Sequence, residues 1–284
     1  MTLVLFLLLL LLAAVVAGFV GSLAGMGGGV VVMPVLIIFF HVPFLEAIGA
    51  SAVSVLATSA ASGSTAVRNN LTDVRIALFL EIATVPGAFL GVAVAVVLAN
   101  TNLTPVLLVL LGVVLLMTLP STLHKWGEEI PEGVVADATS RRLHLGGTYH
   151  DRHLEKDVTY QAGNTKGALA TMFGAGVVSG MFGIGSGVLK VVALERYLRL
   201  PMKVATATSN LMIGVTVAAG VSVLLAGGYI NPALAAPVAL GTTVGSLAGS
   251  QILPRLSNRV VRIFFIPVLA ILAIEVILRG LGIA

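Results

Sequence analysis

Apolar runs separated by short polar breaks fill almost the whole chain. In the first half they cover 3–24, 30–40, 46–67, 75–99 and 103–120; in the second half they cover 166–182, 188–199, 203–226, 231–254 and 260–279. A membrane-spanning helix needs about 20 predominantly apolar residues, and most of these runs supply them. The second run of each half does not, since at about 1.5 Å per residue a helix over 30–40 reaches only roughly 17 Å. Each short run follows directly on a glycine-rich stretch, GSLAGMGGGVVV at Gly21 to Val32 and SGMFGIGSGVLK at Ser179 to Lys190. Each glycine costs a helix about 1 kcal/mol relative to alanine, so the alternate glycines at 25, 27 and 29 predict an unwound segment. Non-helical backbone at membrane depth is tolerated only where it lines a cavity or is buried in protein.

The two stretches are copies of one another. A shift of 158 residues carries Gly25, Gly27 and Gly29 onto Gly183, Gly185 and Gly187, and the register holds well beyond the motif. Pro43 falls on Pro201, Ser51 on Ser209, Thr58 on Thr216, Thr84 on Thr242, Gly87 and Gly91 on Gly245 and Gly249, and Asn100 on Asn258. A duplicated apolar unit with an internal break is a common design of membrane transporters.

Charge sets the expected topology. If all ten runs cross, one side receives Arg68, Arg75, Lys125, Arg141, Arg142, Arg152, Lys156, Lys166, Arg196, Arg199, Lys203, Arg255, Arg259 and Arg262. That is 14 of the 16 basic residues, with Arg279 opposite and Lys190 inside the apolar layer. Cytoplasmic loops carry the excess of Lys and Arg, so ten crossings are expected, five per half, with both termini outside. An odd number per half inverts the second half relative to the first. The expected fold is an all-α polytopic membrane protein of about ten transmembrane helices in two inverted five-helix repeats, with the glycine-rich breaks near the midplane. The expected units are a first repeat at 1–120, a cytoplasmic linker at 121–165 and a second repeat at 166–284.

Composition agrees. Hydrophobic residues make up 58% and charged residues 10%, against roughly 25% charged in soluble domains, and the mean hydropathy is +1.08. There are no cysteines, which excludes disulfides and thiolate chemistry. The net charge of +4 sits in the loops of one side and is not a nucleic-acid patch. The run from Leu3 to Ala24 could be read as a secretory signal with cleavage near Ala17, but it has no positive leading segment and flows into a repeated motif; it is expected to be the first helix. In the linker, Leu143 to Tyr149 and Asp157 to Gln161 read as a β-hairpin around His150 to Lys156. His124, His144, His150 and His153 also fall there without paired ligand spacing, so no metal site and no cofactor are expected.

The candidate chemistry follows from the breaks. Helices restarting at Val30 and Val188 would present unpartnered N–H groups and positive dipole ends to a small anion. Lys190, in the first turn of the second short helix, sits where dipole and dielectric both disfavour a cation. Either a bound anion or pairing with Glu81, the other deeply placed ionisable group, resolves that conflict. The candidate substrate-binding residues are Gly27, Gly28, Gly29, Ser51, Gly185, Ser186, Gly187, Lys190, Ser209 and Asn210, with Glu81 as the proton-coupling candidate. Thr206 and Thr208 add hydroxyls beside Ser209, although this polar cluster could equally cap a helix. Gly87/Gly91 and Gly245/Gly249 are expected to serve close helix packing, and Glu195 and Arg199 to form an i,i+4 ion pair. The run GIGSG resembles an intramembrane serine protease motif, but no histidine lies where a general base must be. A dinucleotide loop would need a βαβ unit. An enzyme is therefore not expected.

The motifs AGMGGGVVVMPVL and SGMFGIGSGVLKVVAL, followed by LPMKVATATSN, resemble the TauE/SafE sulfite exporter-like family of anion permeases, over nearly the whole chain. The resemblance implies a transporter of the bacterial or archaeal cytoplasmic membrane for small anions, typically sulfur oxyanions such as sulfite or organosulfonates, built from two related halves. The chain departs from the common pattern at Ser186, which replaces a glycine, and at Val192, which stands where the first half has Pro34. With no GxxxxGK loop for ATP, energy is expected from an ion gradient or from the anion's own gradient, with alternating access as the mechanism. A membrane scaffold or assembly subunit and a passive anion channel are the alternatives. The partners expected are the anion and the lipid bilayer, with proton coupling and a homo-oligomer both open and no nucleic acid.

Overall fold

The computed structural model describes residues 3–23, 28–68, 70–123, 131, 133–151, 155–252 and 258–283. Its apolar runs are helices: α1 Leu3–Leu23, α2 Gly29–Ile38, α3 Phe44–Arg68, α4 Val74–Asn100 and α5 Thr104–Leu123, then α7 Thr165–Phe182, α8 Gly187–Val192, α9 Met202–Ala226, α10 Pro232–Ile252 and α11 Asn258–Gly280. Between the two sets stand a one-turn helix, α6 Ala138–Leu143, and the strands β1 Gly146–Asp151 and β2 Lys156–Gln161. The strands pair antiparallel from Gly146 opposite Gln161 to Asp151 opposite Lys156. The hairpin expectation therefore holds, with β1 starting three residues later than expected.

Among the described residues, α3, α4, α9 and α10 contain stretches long and apolar enough to cross a membrane, and α1, α2 and α5 contain shorter apolar stretches. The faces of α4 show how such a helix is used. Leu78, Ile82, Phe89, Leu90 and Val97 are exposed, whereas Ile76, Leu80, Glu81, Thr84, Gly87, Gly91 and Ala95 are buried. An apolar outer face over an inner face that holds the glycines and the polar Glu81 and Thr84 suits lipid outside and protein inside. Met117 on α5, Leu240 and Val244 on α10, and Ile271 on α11 extend that apolar exterior.

Among the described residues the most extensive helix pairings recur when the two sets of helices are exchanged, whereas α4 with α5 and α7 with α9 have no counterpart of similar extent. The pair α1 with α10 corresponds to α7 with α4, and α3 with α10 corresponds to α9 with α4. The pairs α3 with α9 and α5 with α11 each map onto themselves. Backbones approach closely in the long pairs because glycines face one another's chains. A β-carbon at Gly91 would lie 2.1 Å from the carbonyl oxygen of Val177, and one at Gly176 would lie 2.2 Å from that of Thr84. On the other side, Gly245 faces the Val15 carbonyl at 2.0 Å. Gly87, Gly91 and Gly245 thus act in packing, as their spacing suggested.

The halves differ at their short helices. The first, α2, runs ten residues through Pro34 to Ile38, whereas α8 runs six and continues as a π-helical turn over Ala193–Tyr197. The change begins beside Val192, the position equivalent to Pro34. Leu198 N–H reaches the Ala193 carbonyl at 3.3 Å, closing the wide turn, and Arg199 then enters the left-handed region at φ 53°. This geometry removes the expected Glu195–Arg199 pair: side chains four apart no longer stack in a π turn. Glu195 is buried and its Oε1 has no hydrogen-bond partner among the described residues, while Arg199 is exposed.

Candidate functional site

The two glycine stretches meet inside the bundle. A β-carbon at Gly29 would stand 3.2 Å from the Gly183 carbonyl oxygen, 3.2 Å from Ile184 Cα and 2.2 Å from Val55 Cγ2. Ser51 Oγ donates to the Gly183 carbonyl at 3.1 Å and to that of Gly29 at 3.4 Å. Its counterpart Ser209 donates to the Gly187 carbonyl at 3.3 Å. Each serine of a long helix therefore holds the first carbonyl of the short helix in its own half. Gly27 lies outside the described residues. Gly28 is buried as the N-cap of α2, where its carbonyl accepts from Val31 and Val32.

The second break uses three left-handed residues. Gly183 at φ 63° ends α7 and Gly185 follows at φ 75°, a conformation glycine adopts without steric cost. Ser186 stands in the same region at φ 47°, and its hydroxyl donates to the Ala175 carbonyl at 2.6 Å. The side chain is thus turned to α7. Around Gly185, Val55 and Ile213 close the space: a β-carbon there would meet Val55 Cγ1 at 2.9 Å and Ile213 Cγ2 at 2.8 Å.

One turn into α8, Lys190 is fully buried. Its Nζ donates to the Met212 carbonyl at 3.0 Å and to Thr216 Oγ1, and stands 3.9 Å from Glu81 Oε1. The Thr216 hydroxyl donates in turn to Glu81, 2.9 Å from Oε1 and 3.0 Å from Oε2, while Thr84 donates to Oε2 at 2.6 Å. The cluster draws on α4, α8 and α9. An isolated charge in such surroundings is costly; here each charge has its partner and the carboxylate has its donors.

Gly28, Gly29, Ser51, Gly185, Ser186, Gly187, Lys190 and Ser209 thus lie along the contact of the two short helices with α3, α7 and α9, and Glu81 joins through Thr216. Asn210 is half-buried and makes no side-chain hydrogen bond among the described residues. Sequence reasoning missed Thr84 and Thr216 as carboxylate donors, although both stood out as repeat-matched threonines. It also missed Val55 and Ile213, apolar residues in apolar helices that carry no signal of their own.

An apolar exterior over closely packed long helices, with a buried ion pair beside two helix breaks, is the pattern of a polytopic membrane protein. The sequence matches the family described as "Sulfite exporter TauE/SafE" over residues 10–276, and the chain belongs to that family. It is similar to a "Probable membrane transporter protein YunE" of Bacillus subtilis (strain 168), 26% identical over 275 residues that cover 93% of this chain and 95% of the relative. No solved structure matches. The protein is a multi-pass membrane transporter rather than an enzyme, and its family implies a small anionic substrate.

Proposed function

We propose that the protein is a secondary transporter moving a small sulfur oxyanion or organosulfonate, such as sulfite, across the cytoplasmic membrane by alternating access. In this reading residues 1–120 and 166–284 are inverted repeats of five spans each, with both termini outside and the linker 121–165 in the cytoplasm. The exchange of helix pairings between the halves supports the repeat, and the basic residues gathered in the loops of one side support the orientation. A cysteine-accessibility map should find Ser121 and Leu200 on the same face; opposite faces would remove this topology.

The observation that carries the reading is the sealed Lys190–Glu81 pair next to the contact of the two glycine breaks. With Glu81 ionised, Lys190 is neutralised internally and has no need of an anion. With Glu81 protonated, the Lys190 charge is uncompensated and attracts one. Backbone N–H groups around Gly27, Gly28 and Gly29 and around Gly185, Ser186 and Gly187 would cradle the oxyanion, and Ser51, Ser209 and Asn210 would add donors once the halves separate. A proton on Glu81 and an anion near Lys190 then move together, and net charge in the bundle stays near zero throughout. The experiment is uptake and efflux of sulfite, sulfonates and sulfate in proteoliposomes with an imposed pH gradient. Uphill flux driven by that gradient is the expected result. Absence of flux for all three removes the substrate class, and purely downhill flux removes the coupling.

A further inference from the structure

The linker contains a cavity of about 370 Å³ between α6 and the hairpin, lined by eleven residues that include Arg141, His144, Thr148, Thr159, Tyr160 and Gln161. Ligand pockets of small molecules begin at roughly 300 Å³, so the space exceeds what a bare inorganic ion needs. None of its lining residues is acidic. Arg141 and His144 are both exposed, and neither makes a side-chain hydrogen bond or ion pair among the described residues. Two acids of the linker are otherwise engaged. Asp157 pairs with His150 at 2.8 Å, and Asp137 accepts from Ser140 N–H and from Thr165. Gly147 keeps the wall open: a β-carbon there would stand 3.1 Å from the Tyr160 hydroxyl.

We propose that this cleft binds a small organic anion, carrying a carboxylate or a phosphate, between Arg141 and His144. The bound anion acts on the spanning helices through Tyr160. The Tyr160 hydroxyl donates to Asp73 Oδ2 at 3.0 Å, and Asp73 Oδ1 accepts from Ile76 N–H at 3.0 Å to cap α4. Asp73 N–H donates to Thr208 Oγ1 at 3.0 Å. Tyr160 at the cavity wall therefore touches Asp73, which caps the helix that carries Glu81 and itself reaches Thr208, the neighbour of Ser209 on α9. Burial, and then the Asp73 carboxylate, push the Tyr160 hydroxyl well above its ordinary range, so it remains a donor throughout physiological pH. The linker is fastened elsewhere as well, by Asp137 at the start of α7 and by Gly163 N–H on the Leu198 carbonyl at 3.0 Å. Binding is independent of the transport reading; its effect on flux rests on that reading.

The test uses the full chain in detergent, with citrate and adenosine monophosphate as probes for carboxylate and phosphate and with sulfate as the bare oxyanion. At least one organic probe should raise the thermal midpoint saturably and more than sulfate does. Arg141→Glu should abolish that shift, His144→Ala should weaken it several-fold, and Ser209→Ala should leave it intact. No shift with either organic probe overturns the site, as does a shift that survives Arg141→Glu or vanishes with Ser209→Ala. In proteoliposomes the same probe on the linker side should change flux at least twofold, and Tyr160→Phe should keep the thermal shift while losing the change in flux. A flux that ignores the bound probe overturns the coupling. A protein that transports none of the tested anions leaves the thermal readout able to decide on the site alone.

Discussion

Lys190 Nζ and Glu81 Oε1 lie 3.9 Å apart, with the Thr216 hydroxyl accepting from one and donating to the other. Breaking a buried pair by deleting one partner typically costs 3–5 kcal/mol, whereas replacing both can be neutral. Lys190→Met should therefore destabilise the protein by about 3 kcal/mol, and Lys190→Met with Glu81→Gln should recover most of that loss. Thermal unfolding in detergent reads the stability, and anion flux should remain abolished in the double variant. Normal flux in the double variant would show that neither charge acts in transport.

Ser186 separates backbone cost from side-chain gain. A non-glycine residue in the left-handed region costs on the order of 1–3 kcal/mol, and its hydrogen bond to Ala175 returns about 0.5–1.5 kcal/mol. Ser186→Ala keeps the strain and loses the bond, so it should destabilise by about 1 kcal/mol. Ser186→Gly loses both and should lie at or above the wild-type midpoint. The reverse order would assign the hydroxyl a larger structural share than its geometry indicates.

Gly91→Val tests the close approach of α4 and α7. The obstructing atom is the Val177 carbonyl oxygen at 2.1 Å, which cannot swing aside as a flexible side chain could. Overpacking ordinarily costs 1–3 kcal/mol, and with backbone on the far side the loss should reach about 3 kcal/mol or more. Monodisperse yield by size-exclusion chromatography measures it, and wild-type yield would contradict the packing described.

Two buried glutamates should respond in opposite directions to the same change. Glu81 has donors from Thr84 and Thr216, whereas Glu195, 9% exposed, has Oε1 without a partner. An unsatisfied buried polar group costs about 1–3 kcal/mol. Glu195→Leu should accordingly raise the thermal midpoint and Glu81→Leu should lower it. Equal losses in both variants would mean that Glu195 is satisfied in the membrane.

Asp137 predicts an acid dependence of the linker's anchorage. Burial raises its carboxyl, but hydrogen bonds from the Thr165 hydroxyl and from the N–H groups of Ser140, Thr165 and Thr139 outweigh this and hold it below the ordinary carboxylate value. A group depressed in the folded state contributes stability above its unfolded pKa of about 3.9, and that stability is lost as pH falls through the folded value. Limited proteolysis of the linker in wild type and Asp137→Asn should thus differ near pH 6 and draw together as the pH falls below the ordinary carboxylate range. A difference that persists in acid would point to the shape of the side chain rather than its charge.

Much of this architecture is legible because membrane helices announce themselves by run length. The start of α2 at Gly29 and that of α8 at Gly187 fall within one residue of expectation, since glycine clusters mark where helix propensity fails. Helix α6 was not legible: six residues held by the Asp137 cap leave no period to read. The Glu195–Arg199 pairing failed for a different reason, because i,i+4 logic presumes an α-helix and the chain turns π at Ala193. Lys190 and Glu81 stood out as ionisable groups deep in apolar helices. Their link through Thr216 depends on how α4, α8 and α9 pack together, which no single helix records.

Arg279 donates to the carbonyls of Ile37 and Ile38, at 3.2 and 3.0 Å, and so fastens the far end of α2 to α11. Its repeat-equivalent position is Ser121, which offers no guanidinium to the far end of α8. The two short helices, which begin alike at a glycine, are therefore secured differently at their far ends. Whatever moves α11 must carry the end of α2 with it, while α8 is left without that tether.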